Sequence, residues 1–129
     1  MATSLLIVDD HPGNLRLLSF AMRRSGHHVT TATSGAEALA ALGQAVPDLV
    51  LLDMQMPGMS GFHLAQLLKA DPRYAAIPLV AVTAFAMRGD EEKARAAGCD
   101  AYVTKPIDVV ALRALVERLT REGGVAMGG

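Results

Sequence analysis

Residues 49–53 read Leu-Val-Leu-Leu-Asp, four bulky apolar residues in a row that end on a carboxylate. The run is too short for a buried helix and follows the turn pair Pro47-Asp48, which is typical of a strand buried on both faces. In an open parallel sheet, ligands bind beyond the carboxyl ends of the strands. Asp53 therefore marks the edge of the sheet at which we expect the functional site.

Four more short apolar runs alternate with helical patterns along the chain. The runs that indicate strands are residues 5–8, 29–32, 79–83 and 101–104. The apolar residues expected to face inward from the helices are Leu15, Leu18, Met22, Leu39, Leu42, Val46, Leu64, Leu67, Leu68, Leu112, Leu115, Val116 and Leu119. The segment 85–97 is helical by composition but has the poorest apolar face. Parallel strands need crossover connections, so the alternation predicts a five-stranded parallel sheet with five helices, a doubly wound α/β fold.

Composition restricts the class of protein. The chain has 129 residues, 51% of them hydrophobic, and a net charge of −1. This length suits one domain, which we expect over residues 1–121, followed by a flexible glycine-rich tail over 122–129. The charge gives no basis for direct nucleic-acid binding. The single cysteine, Cys99, is expected to be buried, and with no signal or membrane segment in the sequence it favours a cytoplasmic protein.

Four of the five predicted strands carry polar residues at their carboxyl ends, namely Asp9, Asp10, Asp53, Thr83 and Lys105. Close carboxylates raise one another's pKa unless a cation neutralises them, and ligation by oxygen alone suits Mg²⁺. Mg²⁺ prefers one or two carboxylates plus a phosphate oxygen, which leaves room for a phosphoryl group on or near Asp53. The sequence therefore predicts a divalent metal site beside a phosphoryl site.

The order and spacing of these residues resemble the receiver domain of two-component response regulators. The matching pattern is Asp9-Asp10, Asp53-x-x-Met56-Pro57-x-x-x-Gly61, Thr83-Ala84, Tyr102 and Lys105-Pro106. It spans essentially the whole chain. Residues 81–92 further resemble the single-domain DivK-type cell-division regulators. The resemblance implies a flavodoxin-like fold with strand order 2-1-3-4-5.

By position, the resemblance makes Asp53 the phosphoacceptor and implies a bound Mg²⁺, with Mn²⁺ as a substitute. The implied metal ligands are Asp10 directly, Asp9 through a water molecule, Asp53 itself and Gln55 through its backbone carbonyl.

The resemblance also implies roles around the phosphate. Thr83, Ala84 and Lys105 would bind it, and Thr83 and Tyr102 would form a switch pair. The Lys105-Pro106 peptide bond would be cis. The side chains of Gln55 and Phe85 would flank the path of attacking water and so set the lifetime of the phosphate.

The function implied is that of a stand-alone response regulator in two-component signal transduction. It would accept a phosphoryl group from a phosphohistidine of a histidine kinase or histidine phosphotransferase in a Mg²⁺-dependent step, and signal to a target protein by changing its surface. Such a receiver assists its own phosphorylation and slow dephosphorylation without being an enzyme for another substrate. We expect a cytoplasmic monomer or weak dimer without nucleic-acid contact or membrane insertion.

Three alternatives are considered. The chain could act with, or be split from, a hybrid kinase as a phosphorelay intermediate or phosphate sink. A Mg²⁺-dependent phosphohydrolase would use the same acid cluster, but the haloacid-dehalogenase class needs a second aspartate where this chain has Gln55. A nucleotide-binding module is disfavoured because no strand is followed by Gly-x-Gly-x-x-Gly or a P-loop sequence.

Overall fold

A computed structural model of the chain describes the backbone of residues 3–84 and 89–128, and the side chains of residues 3–84, 89 and 91–121. Strands and helices alternate throughout. In chain order the elements are β1 (Ser4–Val8), α1 (Pro12–Arg24), β2 (His28–Ala32), α2 (Gly35–Gln44), β3 (Leu49–Asp53), α3 (Gly61–Ala70), β4 (Leu79–Thr83), α4 (Asp90–Ala96), β5 (Ala101–Thr104) and α5 (Val109–Gly128). All five predicted strands are present, and β1 and β2 each begin one residue earlier than predicted.

The strands form one parallel sheet in the order β2-β1-β3-β4-β5, so the predicted strand order is confirmed. β3 and β4 lie in the interior of the sheet and every residue in them is buried. β2 lies at the edge, with three of its five residues exposed. Because the strands are parallel and in register, Val8, Asp53 and Thr83 all lie at the same edge of the sheet.

Helices cover both faces of the sheet and divide the core in two. On one face, α1 and α5 contribute Leu18, Met22, Leu112 and Val116. On the other face, α2, α3 and α4 pack against the sheet through the buried residues Ala38, Leu42, Leu64, Ala65, Leu68 and Ala94. The doubly wound arrangement predicted from the sequence is therefore present.

Two residues predicted to face inward are exposed instead. Val46 is 57% exposed because α2 ends at Gln44, two residues before it. Leu67 is 39% exposed because the buried stripe of α3 passes through Leu64 and Leu68 and leaves the intervening turn outside. Both errors arise where an apolar residue extends a helical pattern beyond the face that is buried.

The start of the helix predicted over residues 85–97 is wrong. Gly89 has φ of +98°, a left-handed conformation that no α-helix contains, and α4 begins at the next residue. Residues 85–88 lie outside the described part of the chain. α4 is the shortest of the helices, and its described buried residue, Ala94, is small, as expected for the poor apolar face that the sequence predicted.

The last helix is longer than expected from the glycine content of its end. α5 runs to Gly128 and so includes residues 122–128, which the sequence analysis assigned to a tail. Independent motion of this end stays a prediction. Within the described residues, no helix is both long and apolar enough to cross a membrane.

Candidate functional site

Three carboxylates meet at the carboxyl edge of the sheet. Asp9 and Asp10 follow β1, and Asp53 is the last residue of the central strand β3. Asp9 and Asp53 are 1% and 2% exposed, whereas Asp10 is partly open to solvent. One ligand atom from each of these residues, together with a ring nitrogen of His11, lies within 4.8 Å of the others. The structure therefore brings together the acidic residues that the sequence predicted.

Backbone N–H groups and one ammonium orient the buried carboxylates. The His11 N–H donates to Asp9 Oδ1 at 2.9 Å, and the Gln55 N–H donates to Asp53 Oδ1 at 3.1 Å. Lys105 Nζ lies 3.8 Å from both Asp9 Oδ2 and Asp53 Oδ1. One ammonium thus faces two buried carboxylates, with Asp10 close by. The pocket keeps an excess of negative charge that a cation can neutralise.

The remaining carboxylate oxygens fit a hard metal ion. Asp9 Oδ2, Asp10 Oδ1 and Asp53 Oδ2 are buried and accept no hydrogen bond from any described residue. A buried carboxylate oxygen without a hydrogen-bond donor is costly, and binding of a cation removes that cost. Three oxygens of this kind suit Mg²⁺ better than a soft metal ion. The residues present therefore fit the metal that the sequence predicted.

Burial raises the pKa of Asp53 from its ordinary value of 3.8 to about 6, and the negative charge of Asp9 adds to the effect. The hydrogen bond from the Gln55 N–H and the nearby Lys105 ammonium act in the opposite direction without cancelling it. Asp53 is therefore harder to ionise than a surface aspartate. A cation bound beside it favours the ionised form.

Thr83 lies at the end of β4 and is 1% exposed. Its hydroxyl donates to Gln55 Oε1 at 2.8 Å, and the Ala84 N–H donates to the same oxygen at 3.3 Å. The two groups that the sequence analysis assigned to phosphate binding are therefore both bonded to the Gln55 carboxamide. Sequence reasoning missed this contact because it depends on the side-chain conformation of a residue in a loop.

Tyr102 lies on β5 directly opposite Ala81 of β4. Residues two apart on a strand share a face, so Tyr102 and Thr83 lie on the same side of the sheet with a register offset of two residues. The ring is half-buried against the core on that side. The switch motion assigned to this pair stays a prediction.

Lys105 follows β5, and its N–H donates to the Thr83 carbonyl oxygen at 2.7 Å. The peptide bond between Lys105 and Pro106 is cis, as the resemblance implied. Phe85, which the sequence analysis paired with Gln55 as a residue that sets phosphate lifetime, lies outside the described residues.

His11 was absent from the sequence-based site. Its side chain is 68% exposed and its Nδ1 lies 3.4 Å from Asp10 Oδ1. The available signal was its position directly after Asp9-Asp10, ahead of the helix that Pro12 begins. His11 therefore borders the open side of the pocket.

Gly61 packs α3 against the acceptor strand. A Cβ atom at this position would lie 2.7 Å from Met54 Cα and would also collide with the backbone carbonyl of Asp53. The Gly61 N–H donates to the Met54 carbonyl oxygen. The glycine in the sequence pattern is thus explained by close approach of two backbones.

A profile of the response regulator receiver domain matches residues 5–117. With this fold and this acidic pocket, the chain belongs to the response regulator receiver domain family of two-component signalling. The fold, the strand order and the family predicted from the sequence are confirmed.

Known proteins resemble the chain over most of its length. The polar-differentiation response regulator DivK of Brucella ovis is 44% identical over 109 residues, which cover 84% of this chain and 89% of the relative. A putative response regulator from Chloroflexus aurantiacus matches with a TM-score of 0.90 at 28% identity, over 94% of this chain and 99% of that one. The chemotaxis response regulator CheY4 of Vibrio cholerae matches with a TM-score of 0.86 at 26% identity, over 92% of this chain and 99% of that one.

Proposed function

We propose that this receiver accepts a phosphoryl group on Asp53 from a phosphohistidine of a histidine kinase or histidine phosphotransferase. The observation that carries the proposal is the environment of Asp53. It is a buried carboxylate at the end of the central strand, it faces the Lys105 ammonium, and its Oδ2 accepts no hydrogen bond from a described residue. The Asp53 carboxylate is therefore the candidate nucleophile.

The transfer follows from these groups. A carboxylate oxygen of Asp53 forms a bond to phosphorus, the bond from phosphorus to the histidine nitrogen breaks, and the electron pair returns to the imidazole. Lys105 neutralises charge on the transferred group, and burial of Asp53 limits access of water to the acyl phosphate. Asp9, Asp10, Asp53 and the Gln55 carbonyl would hold Mg²⁺. When bound, this ion supplies positive charge to the phosphoryl oxygens.

The output is proposed to be a change in protein-binding surface. A phosphorylated Asp53 would draw hydrogen bonds from Thr83 and Ala84, and Tyr102 lies on the same face of the sheet to respond to that change. The high coverage of relatives named as polar-differentiation regulators supports a stand-alone receiver that acts on a protein target in cell differentiation. A role as phosphorelay intermediate or phosphate sink beside a hybrid kinase would use the same acceptor.

Incubation with acetyl phosphate and MgCl₂, followed by intact-mass measurement and peptide mapping, tests the acceptor. The native chain should gain one phosphoryl group on Asp53. Asp53→Asn should gain none while keeping its circular dichroism spectrum, and Glu92→Gln, an exposed substitution of the same kind, should be labelled like the native chain. Full labelling of Asp53→Asn would refute the assignment. Rapid release of inorganic phosphate without a labelled chain would favour the phosphohydrolase.

A further inference from the structure

Gln55 stands two residues after the acceptor and reaches across to the end of β4. Its backbone N–H is held by Asp53 Oδ1 at 3.1 Å, which fixes where the side chain begins. From there, its Oε1 accepts hydrogen bonds from the Thr83 hydroxyl and the Ala84 N–H. One carboxamide oxygen thus connects the acceptor loop to the neighbouring strand.

The orientation of this carboxamide follows from the chemistry of its partners. A hydroxyl can donate or accept, but a backbone N–H can only donate. The Ala84 N–H therefore needs the oxygen of the carboxamide and not its nitrogen, and the Thr83 hydroxyl is then a donor to the same atom. The position between these two donors is an acceptor position.

A phosphoryl oxygen on Asp53 would need the same donors. Thr83 and Ala84 each contribute one hydrogen, and a hydroxyl or N–H hydrogen that is already used for a linear bond cannot serve a second acceptor equally well. Because Thr83 is 1% exposed, a water molecule cannot readily accept its hydrogen bond in place of either oxygen. The Gln55 oxygen and the phosphoryl oxygen therefore compete.

We propose that the Gln55 carboxamide is an internal substitute for a phosphoryl oxygen: it holds Thr83 and Ala84 in the resting receiver and must be displaced before they bind the phosphorylated acceptor. Gln55 is thereby a positioning residue that sets how strongly phosphorylation is coupled to the rest of the molecule. This inference rests on the proposed function, because it assumes that Asp53 is the acceptor.

The test uses beryllofluoride with MgCl₂ as a substitute for the phosphoryl group, with affinity measured by isothermal titration calorimetry. Gln55→Met keeps a side chain of similar length and removes the acceptor oxygen. Beryllofluoride can then bind without first displacing a hydrogen bond to the carboxamide. We expect beryllofluoride to bind about 2- to 10-fold more tightly to this variant, the range that corresponds to the net value of one such bond.

A double-mutant cycle separates competition from a general packing effect. Thr83→Val keeps the shape of the side chain and removes the main donor. In that background, Gln55→Met should increase beryllofluoride affinity less than it does in the native chain, because the Thr83 donor is gone and only the Ala84 N–H is left to compete for. Mg²⁺ affinity without beryllofluoride is measured for each variant, so that a change in metal binding is separated from a change in beryllofluoride binding.

Unchanged or weaker beryllofluoride binding by Gln55→Met would overturn the proposal; weaker binding would mean that the carboxamide orients the Thr83 hydroxyl for the phosphate. An equal gain in the native and Thr83→Val backgrounds would also overturn it. Labelling of Asp53 by acetyl phosphate is measured in parallel. Failure of that labelling in the native chain refutes the proposed function, whereas normal labelling without coupling in the cycle refutes only the role of Gln55.

Discussion

At the scale of single residues, Asp53 meets two demands that oppose each other. A nucleophile must be ionised, and a long-lived acyl phosphate must be shielded from water. Burial provides the shielding and raises the pKa of the carboxyl to about 6. The Lys105 ammonium and the predicted metal ion favour the ionised form. The acidic cluster is therefore better suited to the metal-bound than to the metal-free protein.

The raised pKa of Asp53 predicts how stability depends on pH in metal-free buffer. Because the folded pKa of about 6 exceeds the ordinary 3.8, protonation of Asp53 stabilises the fold, and this contribution is lost as pH rises from about 4 through about 6. Asp53→Asn should remove this loss and raise the free energy of unfolding at pH 7.5 by about 1–2 kcal/mol. Urea denaturation of both chains at several pH values measures it. An unchanged pH profile in the variant would assign the dependence to other groups.

Adding a side chain at Gly61 should lower the stability of the fold, and Gly43 provides a matched control. Gly61→Ala places a Cβ atom against the backbone of Asp53 and Met54, and should lower the free energy of unfolding by about 1–3 kcal/mol. Gly43→Ala lies inside α2 with no heavy atom within 4 Å of the added Cβ, and should instead be neutral or stabilising by up to about 1 kcal/mol. Urea denaturation compares the two, and equal effects would mean that the close approach at Gly61 is easily relaxed.

At the scale of elements, α4 differs from the other helices. It has seven residues and begins after a left-handed glycine. Its neighbour β5 is half-buried along most of its length, in contrast to β3 and β4. Short elements with little buried apolar surface lie at the low end of local stability. We therefore expect α4 and β5 to respond most readily to a change in the pocket.

Hydrogen exchange with and without beryllofluoride tests this expectation. The largest change should fall between Ala84 and Tyr102, with little change over residues 49–52. Thr83→Ala should abolish most of the response, because the Thr83 hydroxyl is the hydrogen-bond donor that β4 contributes to the pocket. A response concentrated in α2, or one that persists in Thr83→Ala, would place the output on another face of the molecule.

The elements show where sequence patterns stop being informative. Strands were well predicted because short apolar runs alternate with helical patterns, and four of the five runs are followed by polar residues at the same edge of the sheet. Helix ends were not, since Val46 continues an apolar spacing after α2 has ended and Gly89 interrupts the segment that composition marks as helical. The hydrogen bond between Gln55 and Thr83 could not be predicted either, because it depends on a side-chain rotamer and not on sequence spacing.

At the scale of the whole molecule, a metal ion bound at the acidic cluster should stabilise the fold. Mg²⁺ that binds only the folded chain raises Tm, so about 10 mM MgCl₂ should raise Tm relative to NaCl of equal ionic strength. Asp10→Asn should reduce this shift more than Asp9→Asn. Asp9 is already engaged by the His11 N–H and by Lys105, and Asp10 Oδ1 accepts no hydrogen bond from a described residue. Equal losses in the two variants would contradict the distinction between direct and water-mediated ligands.

The residues of the pocket come from both the N-terminal and the C-terminal parts of the chain, so they are synthesised in a fixed order. A polypeptide is synthesised from its N-terminus, so Asp9, Asp10 and Asp53 leave the ribosome before Lys105 does. Until β5 pairs with β4, Lys105 cannot take its place beside Asp53. Under the proposed function, a chain cut short or still in synthesis lacks the group that neutralises the transferred phosphoryl. A chain that lacks β5 and Lys105 would then be unable to carry the signal.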